Sequence, residues 1–383
     1  MRVAVISESF LPTINGVTNS VKKVLDYLQH NGHEAIVIVP GAGAPREYAG
    51  FRVHEMPAFA YRQFPVGLPS PAVQALLAEF QPDVIHAASP FLLGAQAIAA
   101  GNRLGIPSVA IFQTDVAGYA RRNHLGGATR FAWRLVRWVH EGAELTLVPS
   151  TSSMRDLEAA GVQRLERWGR GVDLNTYHPR NRGTDDVARL RERLAPNGEA
   201  IIGYVGRLAP EKQVERFAAL RGLDGIQIAV VGDGPSDLAV KRHLSGMPVT
   251  FLGKLTGADL ANAYAAFDMF VHTGTEETFG QTVQEAHSTG IPVVAPRAGG
   301  PIDLVDHGTN GYLFDPDDDS QLRAYVENLV IDGGLRSRMG EAGRRGVLAK
   351  SWDAVCGELF GHYKSAIATR VPALAAGSTS FQK

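Results

Sequence analysis

Short apolar runs alternate with helical stripes along most of this 383-residue chain, and that alternation admits few folds. Residues 3–6 read as a strand, and residues 19–31 as a helix with Val21, Val24, Leu25 and Leu28 on one stripe. A turn at Gly32 leads to a second strand over 35–39. Strand, helix and strand at this length open a doubly wound parallel sheet. Further strands are expected over 84–86, 109–112 and 145–148. After a polar stretch at 181–199, helical only over 185–194, the alternation begins again. Its strands fall at 201–205, 228–231, 249–252, 268–272 and 292–295. A short helix over 302–306, two longer ones over 320–331 and 335–350, and a last one from Ser351-Trp352 to about Ala368 complete the pattern. The expected fold class is α/β: two doubly wound parallel-sheet domains, with a linker near 171–180.

Composition narrows the function. Hydrophobic content of 45% and charged content of 20% belong to a packed globular chain, and a net charge of −1 gives no general affinity for nucleic acid. A single cysteine, Cys356, excludes an internal disulfide and a cysteine-based metal cluster, and fits a reducing cytoplasm. No secretory signal is visible, and no apolar run approaches the ~18 residues of a membrane span. The first loop, 9–17, holds no Gly-x-Gly-x-x-Gly, which counts against a dinucleotide enzyme.

The densest chemistry lies in His272-Thr273-Gly274-Thr275-Glu276-Glu277-Thr278-Phe279-Gly280-Gln281-Thr282-Val283-Gln284-Glu285. It reads as strand end, polar loop and helix start, which places it at the carboxyl edge of a parallel sheet, where such sheets bind ligands. Glu277 falls in the loop and Glu285 about one turn into the helix. Their carboxylates are then on the order of 10 Å apart. A glycosidase acid/base pair sits at roughly 5–9 Å, so two grips on one elongated ligand are the better reading. The amides of Phe279 and Gly280 lie between them at a helix N-terminus, which favours phosphate. Hydroxyl acceptors at both ends and an anion site in the middle describe a sugar nucleotide.

Glu277-x7-Glu285 around Phe279-Gly280 resembles the Glu-x7-Glu motif of family-4 retaining glycosyltransferases, and the resemblance covers nearly the whole chain. Gly206-Arg207-Leu208-Ala209-Pro210-Glu211-Lys212 resembles the family's Gly-Arg-Leu-x-x-Glu-Lys element. Gly232-Asp233-Gly234-Pro235, Gly253-Lys254-Leu255 and Asn310-Gly311-Tyr312-Leu313 also have family counterparts. Three places depart from the pattern. Pro12-Thr13-Ile14-Asn15-Gly16-Val17 has Val17 where the family has a second glycine. Gln113 stands where a histidine is common, which leaves Asp115 as the ionisable candidate there. Arg170 replaces an asparagine before Gly171-Val172-Asp173.

The resemblance implies the GT-B arrangement, two domains facing across a cleft. An acceptor-side domain would span 1–172 and a nucleotide-sugar domain 173–350, with a helix at 351–368 crossing back and a mobile tail at 369–383. It implies a retaining, front-face transfer in which the departing diphosphate helps deprotonate the acceptor. Arg207 and Lys212 would stabilise that diphosphate. Glu277 with the Phe279 and Gly280 amides would hold the sugar, Glu285 the ribose, and Gly232, Lys254 and Leu255 the nucleotide. Asn15 and Gly16 would shape the phosphate and acceptor side, and Asp115 would face the acceptor. No metal or other cofactor is expected. The N-terminal half is most similar to actinobacterial GDP-mannose-dependent α-mannosyltransferases with lipid or glycolipid acceptors. A UDP-glucose or UDP-GlcNAc transferase and a sugar-nucleotide epimerase of the same fold are the alternatives.

A second feature concerns location. Arg130, Arg134 and Arg137 share one helical face, with Trp133 and Trp138 beside it and Arg121-Arg122 before it. Basic residues with interfacial tryptophan suit a helix resting on an anionic bilayer. The expectation is a cytoplasmic protein, peripheral at the inner face of the plasma membrane.

Overall fold

Eight strands order the N-terminal part around a mostly parallel sheet. They are β1 Arg2–Ser7, β2 Glu34–Pro40, β3 Glu47–Tyr48, β4 Phe51–Met56, then, after the β5 Ala58–Tyr61 and β6 Phe64–Gly67 hairpin, β7 Val84–Ala88, β8 Ser108–Ile111, β9 Leu145–Val148 and β10 Leu165–Arg167. The structure, a computed structural model, describes residues 1–41, 43–61, 64–113 and 126–377. The sheet order is β10-β9-β8-β7-β1-β2-β4-β3, parallel except for β3 with β4. Val3 to Ile6 are at most 1% exposed, as expected of a central strand covered on both faces. The connections reverse direction between β1 and β7, so the crevice beyond their carboxyl ends is where such a sheet binds ligands.

The helices of this unit are α1 Gly16–His30, α2 Pro71–Phe80, α3 Leu92–Leu104, α4 Gly126–Glu141 and α5 Thr151–Ala159. α1 begins three residues earlier than its apolar stripe suggests, because Asn15 caps it. The Asn15 Oδ1 accepts from the Thr18 amide at 2.9 Å.

The second unit, Arg170–Trp352, repeats the plan. It comprises α6 Asp185–Leu194, β11 Ala200–Val205, β12 Ile226–Val231, α7 Asp237–His243, β13 Val249–Gly253, α8 Gly257–Ala266, β14 Met269–Val271, α9 Gln281–Thr289, β15 Val293–Pro296, β16 Gly311–Phe314, α10 Asp319–Ile331 and α11 Gly333–Val347. All strand pairs are parallel, in the order β13-β12-β11-β14-β15-β16. Strand alternation divides the core into two layers. Ile202, Tyr204, Met269 and Val271 pack on one face. Ile201, Val205 and Phe270 pack on the other. The direction of winding changes between β11 and β14, so the crevice beyond those two strand ends is this unit's expected ligand site.

Three local differences from the sequence reading have physical causes. Where strand–helix alternation predicts a helix after the 201–205 strand, the chain forms two 3-10 segments, Pro210–Lys212 and Val214–Leu220, because Gln213 between them is left-handed with φ 47°. The helix expected over 302–306 is a 3-10 turn, Gly300–Asp303, which starts earlier and carries Pro301 in its first turn. Asp268 is not part of β14. Its carboxylate accepts from the Ile201 amide at 2.8 Å and from Arg191 at 3.2 Å, and it also pairs with Arg182.

The last helix, α12 Trp352–Gly377, runs well past residue 368, so 369–377 are helical. From Asp353 on it belongs to the first unit. There Tyr363 is fully buried and its hydroxyl lies 2.7 Å from His86 Nδ1, while the Trp168 indole donates to the Val355 carbonyl at 2.9 Å. Arg370 pairs with Glu144 and donates to the Asn102 carbonyl.

Candidate active site

The ends of β11 and β14 carry the charged groups. β11 runs into Gly206 and the exposed Arg207, and the chain then turns back through Pro210–Lys212. The turn after β12 packs directly on this segment. A Cβ on Gly232 would lie 1.9 Å from the Gly206 carbonyl oxygen, so only glycine fits there. The Leu208 amide donates to the Asp233 carbonyl at 2.8 Å, and Gly232 donates to Gly253, which brings the β13 end with Lys254 and Leu255 to the same edge. Lys254 is exposed and Leu255 is half-buried.

Beyond β14 the 273–279 loop is pinned from both sides. The Thr273 hydroxyl donates to the Lys212 carbonyl at 2.6 Å, and the Gly300 amide donates to the Glu277 carbonyl at 2.6 Å. That geometry sets Lys212 Nζ 2.6 Å from Glu277 Oε2, with each side chain about one-fifth exposed (21% and 20%). Burial pushes the Glu277 carboxyl up. The Lys212 ammonium, then His272 and Arg170, outweigh it and bring the carboxyl down to about 2. His272 is buried at the end of β14, and burial takes its imidazole down to about 4 despite the neighbouring Glu277. Burial likewise lowers Arg170, while Glu277 raises it. The cluster is therefore an ionised carboxylate among cations beside a neutral imidazole.

α9 follows at once. Phe279 is buried and Gly280 has φ 101°, a left-handed cap that turns the chain into the helix. The Gly280 carbonyl takes the Val283 amide at 3.0 Å, so the preceding amides of the first turn sit at the positive end of α9. Glu285 lies farther along the helix, half-buried, with Oε2 accepting from the Tyr264 hydroxyl at 2.9 Å. Burial raises its carboxyl to about 7, against the pull of Tyr264 and Gln281. A cavity of about 500 Å³ is lined by Ala298 and by Pro210, Gln213 and Thr275, which are within two residues of Lys212 or Glu277 in sequence.

The second unit thus brings together Arg207, Lys212, Gly232, Lys254, Leu255, Glu277, Phe279, Gly280 and Glu285 at one sheet edge. Sequence reasoning missed three things there: the Lys212–Glu277 bond, the approach of Arg170 to Glu277, and Tyr264 behind Glu285. Arg170 carried a signal, since it departs from the family's asparagine. Tyr264 carried none, because it sits on an alanine-rich helix and reads as core.

In the first unit, Asn15 and Gly16 stand at the loop after β1. The Asn15 side chain is engaged on both ends, accepting from Thr18 and donating to Ser9 Oγ at 2.8 Å. Glu8, also at the end of β1, takes the Phe91 and Gly94 amides on Oε1, both at 2.9 Å. Gln113 is buried. Asp115 lies outside the described residues, as do Arg121 and Arg122. On α4 the Arg130, Arg134 and Arg137 side chains are exposed. Its tryptophans separate: Trp133 packs against the cluster of Phe112 and Val148, while Trp138 is 62% exposed, and Phe131 is 69% exposed. Among the described residues no group of metal ligands occurs and no helix is long and apolar enough to cross a membrane.

Comparison with known proteins agrees with this plan. The family model described as "Glycosyltransferase Family 4" matches residues 14–176, and "Glycosyl transferases group 1" matches residues 186–346. A GDP-mannose-dependent alpha-mannosyltransferase of Mycolicibacterium smegmatis is 47% identical over 97% of this chain and 99% of its own. A protein of the same description from Corynebacterium glutamicum is 43% identical over 97% of this chain and 91% of its own. Among solved structures, Anabaena HepE in complex with UDP superposes with a TM-score of 0.80 at 21% identity, covering 95% of this chain and 100% of its own, a likeness of fold.

Proposed function

The chain belongs to glycosyltransferase family 4, and from that premise we propose that it transfers mannose from GDP-mannose to a lipid or glycolipid hydroxyl with retention of configuration. The observation that carries this reading is the Lys212–Glu277 pair at the carboxyl edge of the second sheet. An ammonium has three donors, and Glu277 occupies one. The others are available to a diphosphate, so Lys212 would connect the leaving group to the carboxylate that holds the sugar. Arg207 adds the second cation. Together they neutralise the charge that develops as the glycosidic bond breaks, with no resident metal in the assignment.

The remaining roles follow from position. Glu277, kept ionised, accepts hydrogen bonds from sugar hydroxyls. The amides of Phe279 and Gly280, at the N-terminus of α9, hold the sugar with it. Glu285 accepts from the ribose, while the Gly232 turn and the Lys254-Leu255 backbone border the base. Gly16 contributes its helix N-terminus on the acceptor side, with Asn15 holding that loop, and Asp115 is assigned to the acceptor. The exposed Arg130, Arg134, Arg137, Phe131 and Trp138 of α4 support contact with an anionic membrane, at the inner face of the plasma membrane, where a lipid acceptor would be found.

Thermal stability with GDP, GDP-mannose and UDP, without added metal, tests the donor. A ligand at ~100 times its Kd adds about 2.7 kcal/mol. A shift with the guanosine compounds and mannose transfer to diacylglycerol-based glycolipid vesicles is the expected result. A shift with UDP alone would overturn the donor assignment.

A further inference from the structure

We infer that Tyr264 is a positioning residue for nucleotide binding: its hydroxyl fixes Glu285 in the orientation and ionised form that accept the ribose hydroxyls. The inference rests on the assignment of Glu285 to the ribose.

The geometry is specific. Tyr264 projects from α8 and is fully buried. Its ring is held on three sides: edge-on to Tyr177 with centroids 5.4 Å apart, against Phe267 at 5.9 Å, and tilted against Phe270 at 5.8 Å. A ring so confined has one place for its hydroxyl, 2.9 Å from Glu285 Oε2. The same hydroxyl lies 3.3 Å from the Thr282 carbonyl, one turn earlier on α9. It has one proton, and the carboxylate is the nearer and stronger acceptor. The bond therefore commits Oε2 to the protein, and the Gln281 side chain also hydrogen-bonds the carboxyl.

The second effect concerns charge. Ribose hydroxyls donate, so a useful partner is a carboxylate. Burial opposes that state in Glu285, and the Tyr264 hydroxyl, which donates more strongly to a carboxylate than to a neutral carboxyl, favours it. The other groups around the carboxyl are Tyr177, held protonated by burial, and the uncharged Gln281 on α9 itself. No charged side chain contributes to the Glu285 shift among the described residues. Lys212, His272 and Arg170 act on Glu277 instead. Removing one hydroxyl should then change the pH at which nucleotide binds, an effect that a purely space-filling tyrosine would not have.

The test is the GDP dissociation constant of the full chain, measured by calorimetry between pH 5.5 and 9, for wild type, Tyr264→Phe and Glu285→Gln. Wild-type affinity should fall as pH drops through a midpoint near neutrality. In Tyr264→Phe the midpoint should move up by about one pH unit, the scale of one lost charge-assisted hydrogen bond. Binding at pH 7 should weaken several-fold and recover toward pH 9. Glu285→Gln should lose the pH dependence, and the Tyr264→Phe change added to it should have no further effect on the profile. An unchanged midpoint in Tyr264→Phe, or a loss of affinity equal at all pH values, would overturn the inference. Absence of GDP binding by the wild type would instead overturn the donor assignment, and the inference with it.

Discussion

Lys212 Nζ lies 2.6 Å from Glu277 Oε2, across a gap of 65 residues, at the point where the second sheet changes its direction of winding. Neither residue is placed by the other's local structure. One ends a 3-10 turn beyond β11, the other sits in the loop beyond β14, and the Thr273–Lys212 and Gly300–Glu277 bonds bring the two segments into register. The first consequence is catalytic. Glu277→Gln keeps the shape and removes the charge that would hold the sugar. Mannose transfer should fall by about 100-fold or more, the scale seen when one transition-state contact is removed. GDP affinity should change little, because the base, ribose and phosphate contacts proposed above do not involve Glu277. Steady-state kinetics with GDP titrations checks this, and near-normal transfer by the variant would remove Glu277 from its role.

The same pair makes a stability prediction. Lys212→Ala leaves a largely buried carboxylate without its main cation. The cost should be about 2–4 kcal/mol, since breaking one side of a buried pair strands the other charge. Adding Glu277→Gln removes the stranded charge, so the double variant should be more stable than Lys212→Ala alone. Urea unfolding of all four proteins measures the coupling, expected to be about 1–3 kcal/mol. Simple additivity would mean that the two groups do not interact. The pH sign follows: the folded Glu277 carboxyl is lowered to about 2 from 4.5. Its contribution is present above about pH 4.5 and is lost as pH falls toward 2.

How much of this was legible in the sequence depends on the kind of interaction. Central strands announced themselves, since residues 3–6 and 201–205 are continuous apolar runs and a doubly covered strand requires that. Edge and amphipathic pieces did not. In β4 the alternation of Phe51 and Val53 with Arg52 breaks at exposed Glu55 and buried Met56, and α3 is so rich in alanine that it shows no stripe. Motif spacing drew attention to Lys212 and Glu277 separately, but spacing cannot state that two side chains 65 residues apart share a bond. Asn15 shows the converse. It was read toward a ligand, and its side chain is engaged by Thr18 and Ser9, as its residue type before a helix permits.

Glu285 predicts an opposite pH effect. Its folded carboxyl is raised to about 7 from 4.5. A raised carboxyl contributes stability that is fully present below about pH 4.5 and is lost as pH rises through 7. The ligand-free protein should therefore lose up to about 3 kcal/mol between pH 5 and 8 through this group. Glu285→Gln should flatten that part of the profile. Thermal unfolding across the range decides, and an equally steep decline in the variant would assign the effect to another group.

α4 supplies the last prediction. Arg130, Arg134 and Arg137 are exposed on this helix with Phe131 and Trp138, while Trp133 is turned into the core. Arg137 also pairs with Glu141 at 3.2 Å, an exposed contact that a phosphate headgroup can replace at little cost. Each basic residue near an anionic surface contributes about 1 kcal/mol, so changing all three to Gln should weaken binding to phosphatidylglycerol vesicles roughly 100-fold. Trp138→Ala should weaken it at high salt as well as low, because its contribution is apolar, whereas the arginine contribution should fade as salt rises. Vesicle co-sedimentation at two ionic strengths separates the two. Binding that ignores both sets of changes would show that α4 is a solvated helix and that lipid contact, if made, lies elsewhere on the chain.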